Sequence, residues 1–180
     1  MKRHLALAVL AMAPLICAQT LKLSIFDKLK EKASDATNLN LSKDLLGLGA
    51  GFLGNEKDAA KIKKLAQGLD SILIRTLEFD KEGAYSNGDL QQLMAELGSP
   101  GWNLVMSADE TKSHEVSRIW IKREGNGELG GLRVMSAEPR ELSVIEITGK
   151  IRLEDLKDLT TFGVPDVLSE HGQPAKKNDD

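Results

Sequence analysis

The chain has 180 residues, 41% hydrophobic and 28% charged, with 24 Lys and Arg against 27 Asp and Glu and a single cysteine. That composition suits one modest globular domain with appendages, and the slight acidic excess excludes a general nucleic-acid binder, which needs surplus cations to displace counterions from phosphates. One cysteine excludes an internal disulfide framework and any multi-cysteine metal site, so stability has to come from packing.

Lys2 and Arg3 precede an uncharged run from Leu5 to Cys17 and then small Ala18, the three-part pattern of a secretory signal over residues 1–18. The run is too short to span a bilayer as a stable helix. Cleavage after Ala18 puts a small side chain at the cut and leaves Gln19 as the first mature residue; cleavage after Ala13 puts Pro14 on the wrong side. Lipoprotein processing at Cys17 wants a small residue just before the cysteine and Leu three before it, where the chain has Ile16 and Pro14. The expectation is an exported protein, periplasmic or extracellular, from which Cys17 is discarded. A membrane-anchored lipoprotein carrying Cys17 is the alternative.

Residues 21–36 place Ile25, Leu29, Ala33 and Ala36 at helical spacing with lysines largely elsewhere, which predicts a basic amphipathic helix. Further helices are predicted over 42–53 and 57–65, completing an N-terminal helical segment over 19–69. From Ser71 the stretch "SILIRTLEF" reads as a strand with apolar groups on both faces. Ser86 and Asp89 offer a capping box for a helix carrying Leu90, Leu93, Met94 and Leu97, stopped at "GSPG". Four strands follow, over 102–106, 116–123, 132–137 and 142–148. Asn126 and Gly127 supply a tight hairpin, and Pro139 presets the next turn, so the last three strands form an antiparallel meander. Leu153, Leu156 and Leu159 mark a short closing helix, and residues 169–180 have almost nothing to bury. The core over 70–168 is therefore α+β, an antiparallel sheet of about five strands in the order β-α-β-β-β-β-α with helices on one face. That order looks like TATA-box-binding-protein-like folds, a likeness of fold alone.

Four motifs have plainer readings. Gly49, Gly51 and Gly54 spell a dinucleotide fingerprint, but no strand precedes them, so they mark a helix end or close helix packing, and no cofactor is expected. "DKEGAYSNGDLQ" from Asp80 is acidic, yet a calcium loop beginning there has Tyr85 where glycine must turn and Gln91 where the bidentate acid belongs. Ser86 has Ala84, not glycine, two residues before it, which fits a helix cap rather than a nucleophile elbow. His114 is a lone histidine at a strand entrance, without the second ligand a metal site needs. Arg118 and Trp120 share one face of their strand, with Arg133 and Glu146 on neighbouring strands. They form either a cationic-aromatic platform for an anionic or peptide ligand or a cross-strand ladder with Trp120 covered by an N-terminal helix.

"RTLEFDKEGAYSNGDL", "GWNLVM", "AEPRELSVIEITGKI" and "FGVP", separated blocks in one order, resemble an exported bacterial family known only as domain of unknown function 4252. The resemblance runs from about Leu41 to Pro165. It implies a small envelope-associated protein and supplies no activity or catalytic residue. The expected function is a non-enzymatic exported domain that binds an envelope protein or peptide. A peripheral membrane protein using the basic helix from Leu21 is the second expectation, and an enzyme working through carboxylates the third.

Overall fold

The computed structural model describes residues 21–52, 57–125 and 128–152. The signal segment with Cys17, Ala18 and Gln19, the hairpin residues Asn126 and Gly127, the helix expected from Leu153 and the tail lie outside them. Helix α1 covers Ser24–Leu29 and runs into a short 3-10 turn over Lys30–Lys32. Strand β1 follows over Asp35–Ser42, then α2 over Lys43–Phe52, α3 over Lys57–Gly68, β2 over Leu69–Glu78 and α4 over Asn87–Leu97. Strands β3 to β6 cover Trp102–Glu110, Glu115–Arg123, Leu129–Glu138 and Glu141–Ile151. They form one six-stranded sheet in the order β1-β2-β6-β5-β4-β3, with every neighbouring pair antiparallel.

The order follows from the connections. β3 to β6 form a meander, and the crossover through α4 carries the chain from β2 to the far edge, which leaves room for β6 to close back onto β2. The start of β2 and the end of β6 approach closely: a Cβ on Gly149, whose φ is +132°, would come within 2.5 Å of the Gly68 carbonyl oxygen.

Two expectations are corrected. The sheet has a sixth strand, because residues 35–42 are extended and the first helix ends before Ala36. In "DATNLNLS" Leu39 and Leu41 alternate with asparagines, a period of two on an edge strand that is almost wholly exposed. Helices also lie on both faces rather than one. The residues before β1, with α1, join α4 over a core that includes Leu23, Ile25, Leu29, Leu73, Leu93, Leu97, Trp120, Met135 and Val144. On the other face α2 and α3 contribute Leu46, Leu65 and Ala66 to a core with Leu69, Ile72, Ile119, Leu132, Val134, Ile145 and Ile147. Cover on both sides explains why residues on both faces of the inner strands β5 and β6 are buried.

Candidate functional site

Trp120, Arg133 and Glu146 stand side by side across β4, β5 and β6, as the sequence places them, but they are 4%, 5% and 7% exposed. Arg133 Nε donates to Glu146 Oε2 at 2.6 Å, and its Nη1 donates to the Leu97 carbonyl at 2.6 Å and to Ser99 Oγ at 2.9 Å. The guanidinium thus bonds the last turn of α4, where exposed carbonyls and the helix dipole favour a cation. The Trp102 ring covers its other side, with the guanidinium carbon 3.8 Å from the ring centre. Gly131 makes this stack possible, since a Cβ there would come within 2.6 Å of the Trp102 ring. Burial pulls the Arg133 pKa down, opposed by the Glu146 charge. The group is an internal strut tying α4 to the sheet, and the cover over Trp120 comes from α4, not only from the N-terminal residues: Leu93 and Leu97 share its core, and Gly98 packs against the indole nitrogen. Arg118, half-buried on the same face, is held apart from this group, donating to the Ala108 carbonyl and to Asp109 at 2.8 Å.

Ser86 is a helix cap. Its Oγ accepts from the Asp89 amide at 3.2 Å while Asp89 Oδ2 accepts from the Ser86 amide at 2.8 Å, a reciprocal capping box. Lys28 Nζ, 2.7 Å from Asp89 Oδ1, ties this cap to α1, and that bond, followed by the bonds from Ser86, lowers the Asp89 pKa to about 2. Gly49 and Gly51 lie within α2 and Gly54 outside the described residues; in "DKEGAYSNGDLQ" the stretch from Asn87 is the first part of α4.

The feature that sequence reasoning missed lies at one end of the sheet, on the face opposite the strut. Strand register aligns Asp35 with Glu78, Glu78 with Glu141, Glu141 with Glu138, and Glu110 with Glu115. Glu138 and Glu115 follow and precede the paired residues Ala137 and Val116, which completes a row of one carboxylate per strand. The next row on that face is Thr37, Thr76, Ser143, Ser136, Ser117 and Ala108, five hydroxyls in six places. Beyond it come Leu39, Ile74, Ile145, Val134, Ile119 and Met106. Ser143 Oγ donates to Glu141 at 2.9 Å, Ser117 Oγ donates to Glu115 at 3.1 Å, and Thr76 and Ser143 bond to each other at 2.9 Å. Neighbouring strands lie about 4.8 Å apart, and like charges directly opposite oppose pairing. None of the six carboxylates is in an ion pair among the described residues. Burial, then Glu141 and Glu115, raise the pKa of Glu138.

Around the same end of the sheet a cleft of about 380 Å³ opens between the β3–β4 turn, the β5–β6 turn and the loop before α4. Glu82, Tyr85, Asp109, Glu110, His114 and Glu115 are among the residues that line it. His114 sits in the turn with φ of 56°, exposed. The Tyr85 hydroxyl donates to the Glu138 carbonyl, and burial, with Glu138 nearby, pushes its pKa up to about 12. Among the described residues no group of three His, Cys, Asp or Glu is placed to hold a metal ion. Nor is any helix there long and apolar enough to cross a membrane. The chemistry on offer is a line of negative charge and hydrogen-bond acceptors beside an acidic cleft.

Comparison with known families adds one finding. The model of the family described as Domain of unknown function (DUF4252) matches residues 29–159, which runs from the end of α1 past the end of β6. The chain belongs to this family. No curated protein matches it. No solved structure matches it either.

The family's extent begins within the first helix and takes in β1, α2 and α3 together with the strands that follow. A signal for the carboxylate row was present in the letters. Asp35-Ala-Thr37, Thr76-Leu-Glu78, Glu115-Val-Ser117, Ser136-Ala-Glu138 and Glu141-Leu-Ser143 are all an acid and a hydroxyl flanking one small or apolar residue. The triplets start β1, β4 and β6 and finish β2 and β5, so the antiparallel pairing gathers them at one end of the sheet.

Proposed function

We propose that this DUF4252 domain is an exported, non-enzymatic interaction module that holds a basic segment of an envelope protein or peptide along its carboxylate row and the adjoining cleft. The observation that carries the reading is the row itself. Six acids stand in cross-strand register, none of them ion-paired among the described residues; like charges directly opposite oppose sheet pairing, and Lys or Arg from a partner relieves that repulsion. Complementary charge of this kind sets encounter rate and partner choice more than raw affinity. A non-catalytic role is supported by Ser86, whose hydroxyl is committed to its cap. Export is supported by the composition of residues 1–18, and N-terminal sequencing of protein from its own host tests it, Gln19 being the expected first residue.

The binding test is calorimetric titration with a Lys/Arg-rich peptide and an acidic peptide of equal length, at low and moderate salt. The basic peptide is expected to bind with salt-sensitive affinity and to lose most of it in the Glu78→Gln, Glu138→Gln, Glu141→Gln variant. Equal affinity in wild type and variant would remove the row from the reading.

Burial of the basic segment from Leu21 favours a protein or peptide partner over the membrane-surface reading. Ile25, Phe26 and Leu29, the apolar side of the segment from Leu21, are 0%, 4% and 0% exposed inside the core, so that side has no surface to offer to lipid. A lipid anchor then rests on Cys17.

A further inference from the structure

An open sheet ends in two edges, each with backbone N–H and C=O groups turned away from any neighbouring strand, and the edges here are β1 and β3. β3 is blunted. Its register shifts between Leu104 and Met106, a bulge of the kind that bends an edge away from further pairing, and the Arg118 guanidinium bonds to its Ala108 carbonyl and its Asp109 side chain. β1 has none of these devices. It pairs with β2 over its whole length without a shift, and from Ala36 to Ser42 it holds no charge, no proline and no glycine. Three of the five large apolar side chains exposed among the described residues lie on β1 or on α2 directly after it: Leu39 at 40%, Leu45 at 50% and Leu48 at 63%.

The pattern of β1 matches itself. Two copies related by a two-fold axis normal to the sheet run antiparallel and keep like faces on one side, so the axis passes between one residue of β1 and its own mate. An axis at Leu39 sets Leu39 against Leu39 of the second copy, Leu41 against Thr37, Asn38 against Asn40 and Ala36 against Ser42. It also sets Asp35 against Lys43, the first residue of α2, whose ion pair with Asp70 is exposed. Leucine meets leucine, amide meets amide, and the acid meets a base. An axis at Asn38 instead sets Asp35 against Leu41 and Thr37 against Leu39.

We propose that the domain pairs with a second copy of itself through β1, two six-stranded sheets joining into one with Leu39 on the axis. The carboxylate rows then lie at opposite ends of the joint sheet, so neither faces the other and both stay open. The pairing does not rest on the basic-peptide reading, and either can fail alone.

The full chain with Cys17→Ser, which removes the native thiol, carries the test. Sedimentation is expected to give twice the chain mass. Leu39→Lys, which sets two like charges on the axis, is expected to give the mass of one chain with an unchanged circular-dichroism spectrum. Mild oxidation of Leu39→Cys should link two copies, because directly opposed residues have Cα atoms about 4.5–5.5 Å apart; in Asn38→Cys the mates stand diagonally, about 7–8 Å apart, and should link far more slowly. Asp35→Lys should weaken the dimer several-fold and Asp35→Lys with Lys43→Glu should restore it. Within one chain those positions are separated by about 26 Å of strand, so the rescue runs between copies. A single-chain mass at every concentration, a Leu39→Lys variant that is still dimeric, or equal crosslinking at 38 and 39 would overturn the proposal. Should Leu39→Lys fail to fold, the two cysteine variants decide.

Discussion

Replacing Glu146 by Ala removes one half of an ion pair whose members are 5% and 7% exposed and 2.6 Å apart. The Arg133 charge then stays in the core with the Leu97 carbonyl, Ser99 Oγ and the Trp102 face, none of which carries a compensating negative charge. Leaving a buried charge unpaired costs about 3–5 kcal/mol. That is a large part of the roughly 5–15 kcal/mol by which a domain of this size is stable. With a urea m-value near 2 kcal/mol/M, a loss of about 4 kcal/mol moves the midpoint down by about 2 M at constant m. Arg133→Met with Glu146→Leu removes both charges and keeps apolar volume, so it is expected to cost less than Glu146→Ala alone, although it also gives up the bond to Leu97 and the stack on Trp102. A Glu146→Ala loss below about 1 kcal/mol, or a double variant worse than the single, would refute the strut.

Trp120→Ala is expected to cost about 3–5 kcal/mol in the same assay, because α4 covers the ring; a change near zero would mean the face is open. Ser86→Ala should cost about 1 kcal/mol in thermal or urea denaturation through loss of the cap. The Asp89 carboxyl has its folded pKa lowered to about 2, so its contribution is full above the ordinary aspartate value and disappears as pH falls towards 2. Lys28→Ala should shrink that acid limb in stability-against-pH measurements. Glu138 has its folded pKa raised, so wild type should lose stability as pH rises from the ordinary glutamate value through the raised one; Glu138→Gln should lack that loss and be the more stable of the two at neutral pH.

Local signals carried far. The Ser86–Asp89 box, the 3.6-residue period of α4 and the turn chemistry around Pro139 are properties of a few adjacent residues, and the corresponding elements stand where those residues put them. β1 is hard to read because an exposed edge strand has few apolar residues to show a period: Ala36, Leu39 and Leu41 are all it has, and "KLKEKASDA" before them continues a helical spacing that the structure stops at Lys32. The faces were missed for another reason. Alternation says that Arg118, Trp120, Arg133 and Glu146 share a side, but whether that side meets water depends on where α4 lies after its crossover, a non-local fact. The carboxylate row is non-local in the same sense, since the triplets become a line only when five strand pairings fix their register.

Burial is the first cause of the raised Glu138 pKa, and the register adds the charges of Glu141 and Glu115. A hydroxyl donating to a carboxylate favours the ionised form. Glu141 and Glu115 each receive such a bond from the hydroxyl two residues on, Ser143 and Ser117. Glu138 has Ser136 in the equivalent place, but among the described residues it receives no such bond, and it stands between those two charged neighbours. A basic segment lying on the row supplies the missing favourable partner, and so draws the Glu138 pKa back down. Binding and proton release are then linked: at a pH near the raised value, titration of the Lys/Arg-rich peptide should release a proton, seen as a binding heat that varies with the ionisation enthalpy of the buffer. In Glu138→Gln the release should be smaller, because one titrating carboxylate of the row is gone. Binding with buffer-independent heat in the wild type across the mildly acidic range would show that the peptide sits elsewhere, however tightly it binds.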